Sequence, residues 1–172
     1  MYTRSYVEEL VRPELAAGAA AVGRDVGDIA LMGILICAVD DDEEEARRKL
    51  AFAIAQYAAS RVYDRLFAVH GWASQQDVIR TAVRARDYAA IVRSVPDDLL
   101  DVVGVACTPS QLPARVALHA GDYDHLNVVV PPWGLTADES QDATEVVLRE
   151  MRPLLAPVAE EPGTARLEHQ GV

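Results

Sequence analysis

The run Ile29-Ala30-Leu31-Met32-Gly33-Ile34-Leu35-Ile36-Cys37-Ala38-Val39 passes directly into Asp40-Asp41-Asp42-Glu43-Glu44-Glu45 and then Ala46-Arg47-Arg48-Lys49-Leu50. Eleven residues without polar alternation suit a strand covered on both faces, as parallel sheets require. The acids that follow complement the positive end of a helix dipole, with Asp41 or Asp42 as the cap. The stretch therefore reads as a buried parallel strand handing over to a helix. The acidic run lacks the alternating ligands and turn glycine of a calcium loop, so no metal is assigned to it.

Upstream, Tyr6, Val7, Leu10, Val11, Leu15, Ala19 and Val22 recur at helical spacing, with Ser5 as cap and an interruption expected at Pro13. Gly23 is placed to stop this helix in a left-handed turn. Downstream, the helix from about Glu43 carries Ala46, Leu50, Ala53, Ile54 and Tyr57, and a further piece carries Val62 to Val69 before His70-Gly71-Trp72. Residues 74–103 read as short helices at Gln76 to Arg84, Tyr88 to Arg93 and Pro96 to Val102. Thr108-Pro109 opens another helix that Gly121 ends. A second strand spans Asp124 to Val130, closed by Pro131-Pro132-Trp133-Gly134, and a last amphipathic helix begins near Asp138 and includes Leu154 and Leu155.

The 172 residues are 51% hydrophobic, enough for one domain with a real core. A net charge of -11, from 16 basic and 27 acidic residues, argues against nucleic acid and anionic membranes as partners. Lys49 is the only lysine. Cys37 and Cys107 have no paired spacing and read as reduced, buried thiols. No segment offers about 18 uninterrupted apolar residues, and the amino terminus has no signal-peptide core, so a cytoplasmic location is expected.

The segments Val11-Arg12-Pro13, Gly18-Ala19-Ala20, Gly23-Arg24-Asp25, Asp28-Ile29, Asp41 to Arg47, Tyr57, His70-Gly71-Trp72, Asp98 to Asp101 and Thr108-Pro109 follow one another in a familiar order. From roughly Tyr2 to Val158 the chain resembles the carboxyl-terminal part of luciferase-like oxidoreductases, and more narrowly their F420-dependent class. The resemblance implies a (β/α)8 TIM barrel in which F420, or alternatively FMN, exchanges hydride with a small organic molecule or activates oxygen. A complete barrel takes eight strands and about 250 residues. The expectation here is therefore a partial barrel in residues 1–158, with about two parallel strands, a predominantly helical remainder, a helical insertion at about 60–103, and a flexible tail at 159–172. The two strands resemble the seventh and eighth, and the Gly-Thr-Pro usual before the last helix reads Cys107-Thr108-Pro109.

In such a barrel, functional loops follow the carboxyl ends of strands. Trp133, beside a rigid Pro-Pro turn, is a candidate wall for a planar ligand, although packing the barrel end is the plainer role. His70 and Trp72, at a helix break in the insertion, could lie over the site as a lid with a general acid, against the simpler reading of a helix stop with a hydrophobic anchor. Thr108, at a helix start, could contact a phosphate of the cofactor, or merely cap the helix. His119 and His125, near Asp122 and Asp124, read as helix-end charge pairs. No nucleophile motif, glycine-rich phosphate loop or metal-binding spacing is present, and no catalytic residue is assigned.

The expected function is that of the carboxyl-terminal portion of an F420- or FMN-dependent oxidoreductase or monooxygenase, inactive as an isolated chain. The alternative is a non-catalytic helical assembly or binding protein derived from that family. A truncated relative, one piece of a split enzyme and a misplaced start codon would all give this sequence. Two parallel strands would leave open edges, so a homodimer or a complementing chain is expected to cover them.

Overall fold

A computed structural model describes residues 1–154 of the chain; Leu155 and the tail expected at 159–172 lie outside the described residues. The amino-terminal helix is continuous but uneven. Helix α1 (Arg4–Tyr6) runs through a π-helical turn, Val7–Val11, into α2 (Arg12–Ala21). The wider turn falls just before Pro13, whose ring would otherwise meet the carbonyl four residues back and whose missing N–H cannot close an ordinary turn. Gly23 then stops the helix with φ of +69°.

Strand β1 (Met32–Val39) leads into α3 (Glu43–Ala58), and the Asp42 side chain accepts the Glu44 backbone N–H at 2.9 Å, so the acidic run is a helix start. Four shorter helices follow: α4 (Asp64–Val69), α5 (Ala73–Ala85), α6 (Tyr88–Arg93) and α7 (Asp97–Val103). Strand β2 (Gly104–Cys107) continues from α7 without a turn, α8 (Leu112–Ala117) follows, and strand β3 (His125–Val129) leads to α9 (Ala137–Met151).

The chain is thus mixed α/β, mostly helical, with a parallel sheet of three strands in the order β2-β1-β3. That agrees with a partial barrel of the expected class and corrects the count of two strands. The missed strand, Gly104–Cys107, is four residues long and joins its helix directly. Too short to show a period and lacking a turn signal, it becomes a strand only by pairing: Ile36 aligns with Gly104 and Val39 with Cys107.

Alternation along β1 divides the core in two. Ile36 and Ala38 point toward α3 to α7 and pack with Leu50, Ile54, Phe67, Ile79 and Leu99. Leu35, Cys37 and Val39 point the other way, with Val105 and Cys107, onto Leu112 and Val116 of α8 and Val147 of α9. Helices therefore cover both faces of the carboxyl half of β1, Leu35 to Val39, and β3 holds the side of β1 that the preceding strand would hold in a closed barrel. Among the described residues no helix is long and apolar enough to cross a membrane.

Gly104 marks a close contact of β2 with β1 and α3. A Cβ there would stand 2.8 Å from the Ile36 carbonyl oxygen and 3.0 Å from Leu50 Cδ1. Gly104→Ala is expected to lower the unfolding free energy by roughly 1–3 kcal/mol. Gly18→Ala in α2, where an added Cβ meets nothing within 4 Å, is expected to raise it by roughly 0.5–1 kcal/mol. Urea unfolding of the two variants measures both effects.

Candidate functional site

The connection from β1 to β2 runs one way across the sheet and the connection from β2 to β3 returns past β1. In open parallel sheets such a reversal leaves a crevice beyond the carboxyl ends of the strands, here those of β1 and β3. Its lining includes Val39, Lys49, Pro131, Trp133, Leu135 and Glu139, and its volume is about 20 Å³.

Each wall has a local cause. Asp40, the first residue past β1, accepts from Lys49 Nζ at 2.7 Å and from the Asp42 backbone N–H at 3.0 Å. The hydrogen bond from Lys49 is the largest of the effects that hold the Asp40 carboxyl below the usual carboxylate range. Glu139 lies in the capping box that starts α9: it accepts the Thr136 backbone N–H at 2.7 Å, and this holds its carboxyl low as well. Lys49 is thus paired with Asp40 and shares the crevice with Glu139.

Trp133 meets Tyr57 edge to face at 4.4 Å between ring centroids. The next residue, Gly134, has φ of +81°, and a Cβ there would stand 2.7 Å from the Phe52 ring. The turn after β3 is thereby pressed onto α3. Phe52 in turn stacks on Tyr88 at 4.8 Å, and the Arg48 guanidinium lies 5.2 Å from the centre of the Tyr88 ring.

The remaining sequence candidates lie elsewhere. Thr108 stands past the end of β2, where its backbone N–H donates to Gln111 Oε1 at 3.1 Å and its hydroxyl faces Ser110. His70 and Trp72 stack with ring centroids 4.2 Å apart, and His70 Nε2 is 2.7 Å from Thr3 Oγ1. His70 lines a second cavity of about 290 Å³ with Thr3, Arg4, His119, Asp122 and Tyr123. Val102, Asp122 and Tyr123 precede β2 and β3, so this cavity lies at the amino ends of those strands. The fold brings His70 to His119 and leaves Trp133 at the other end of the sheet.

Asp122 pairs with Arg4, Nε to Oδ1 at 2.6 Å, and Asp124 accepts the Leu31 backbone N–H at 2.7 Å. Burial lowers the pKa of both His70 and His119, opposed in the first by Glu9 and in the second by Asp122. Sequence reasoning passed over Lys49, Asp40 and Glu139. One signal for Lys49 was available, since the chain's sole lysine falls within the first turns after the principal strand. Among the described residues no group of three or more His, Cys, Asp or Glu side chains is arranged to hold a metal ion.

A parallel α/β sheet of partial-barrel type, with its crevice at the carboxyl ends of the strands, defines the class. The model of the luciferase-like monooxygenase family matches residues 2–124, and the chain belongs to that family. The match takes in β1, β2 and the helices between them and stops just before β3. Membership supports an oxidoreductase or monooxygenase type of function, in a family generally dependent on a flavin or deazaflavin. No curated protein matches the chain.

The two histidines give a pH dependence of definite sign. Each binds a proton less readily folded than unfolded, so below the ordinary histidine value of 6.5 the unfolded chain takes up more protons. Stability is expected to fall as pH drops below that value, and a double variant His70→Gln, His119→Gln is expected to flatten the slope. Urea unfolding between neutral and mildly acidic pH, above the range where carboxylates titrate, measures it.

Proposed function

We propose that this chain is part of an F420-dependent oxidoreductase, or alternatively an FMN-dependent one, acting on a small organic molecule, and that it does not hold the cofactor by itself. When bound, such a cofactor supplies hydride transfer, or oxygen activation in the monooxygenase branch. The observation that carries the second half of this reading is the volume of the crevice. Space of about 20 Å³ is close to that of one water, whereas ligand sites run to about 300–1,000 Å³. The tricyclic cofactor does not fit the residues present there.

The crevice is also chemically closed. Lys49 is ion-paired with Asp40, and Trp133 is packed on Tyr57. In this reading Trp133 and Lys49 form one wall of a site whose other walls come from a second copy or a complementing chain that covers the open sheet edge. A cytoplasmic setting belongs to the same proposal and is supported by Cys37 and Cys107, both free and buried.

The closed crevice favours a second reading as well, a non-catalytic assembly or binding protein built from the family's core. Titration of the purified chain with F420 and with FMN, followed by cofactor fluorescence and thermal unfolding, tests the first. No saturable binding and no change in Tm are expected for the chain alone, and saturable micromolar binding would overturn the claim that it cannot hold the cofactor. Co-purification from the native host separates the two readings: binding of F420 or FMN by the resulting assembly supports the enzyme, and an assembly that binds neither supports the non-catalytic protein.

A further inference from the structure

Strand β3 pairs with β1 on one side and, among the described residues, has no strand on the other. Edge strands are usually guarded by charge, proline or a covering element, because their free N–H and C=O groups recruit another strand. This edge carries no charged guard. From His125 to Leu135 there is no Asp, Glu, Lys or Arg, in a chain of 16 basic and 27 acidic residues.

Apolar surface flanks the edge on both faces of the sheet. On one face Met32 is 58% and Ile34 37% exposed, beside His125 and Asn127 in the strand register. On the other, Leu126 and Val128 continue into a groove of about 640 Å³ shared with Val116, Leu148, Met151 and Leu154. Leu148 and Leu154 are 61% and 55% exposed at its rim.

We propose that β3 pairs with β3 of a second copy of this chain, antiparallel about a twofold axis at Asn127, joining two three-stranded sheets into one of six strands. Two observations select a second copy as the occupant. The chain carries a net charge of -11, and this edge is a stretch on which two copies can meet without setting like charges opposite each other. The edge is also self-complementary in that register: Leu126 faces Val128 of the copy, His125 faces Val129, and the two Asn127 amides, each with donors and an acceptor, meet at the axis. An interface of this kind is isologous, with the same patch used twice.

The proposal rests on the partner part of the functional reading and not on its cofactor part. Sedimentation velocity of the full chain at micromolar concentration, with no cofactor added, is expected to give twice the mass of one chain. Asn127→Lys sets two ammonium groups opposite each other at the axis, and it is expected to weaken self-association by about tenfold or more. Val62→Lys, in the exposed turn between α3 and α4 and outside β3, is expected to leave it unchanged. A monomeric wild type, or a dimer that survives Asn127→Lys, overturns the proposal. If circular dichroism shows that Asn127→Lys does not fold, Asn127→Cys decides: a disulfide between chains under mild oxidation supports the pairing, and its absence overturns it. A monomer in this experiment leaves the cofactor titration free to succeed or fail on its own.

Discussion

Strand β1 has to be satisfied on four sides, and the rest of the fold follows from that requirement. Its backbone groups need partners on both edges, which β2 and β3 provide. Its side chains need apolar cover on both faces, which α3 to α7 give on one side and α8 with α9 on the other. Ile36 and Cys37, adjacent in the strand and facing opposite layers, are both fully buried. Burying an aliphatic side chain of the Ile or Leu type is worth roughly 1.5–3 kcal/mol, so losing either layer would remove several such contributions at once.

The same requirement explains where the crevice lies and why it is small. Strand β3 fills the position beside β1 that a preceding barrel strand would take, which creates the reversal between β1 and β3. The turn after β3 then has to come down onto α3, and Gly134 permits it by leaving room for Phe52. Trp133 is carried along and packs on Tyr57. The residues that close the connection also fill the crevice, which is left with about 20 Å³.

Much of this architecture could be read from the sequence because the signals were local. The acids after Val39, the stop at Gly23 and the helix Tyr88–Arg93 each rest on interactions within a few residues. The short strand Gly104–Cys107 could not be read that way, because among the described residues its only strand partner is β1, far off in the chain. The site was less legible still. His70 meets Thr3 and lines a cavity with His119 at the amino ends of the strands, and only the folded chain sets those distances. Lys49 gained its meaning from Asp40, nine residues away, once strand and helix had turned back on each other.

The sequence by itself determined the parallel strand, the helix that follows it, the family and the absence of a charged guard on the last strand. Those properties depend on residue type and near-neighbour spacing, which the chain carries wherever it folds. The tertiary structure alone decided the strand order β2-β1-β3, which helices cover each face of β1, and the closure of the crevice by Trp133. Each depends on which distant segments pack together, and that choice is made by the need to pair β1 with strands on its two sides and to bury its carboxyl half, Leu35 to Val39.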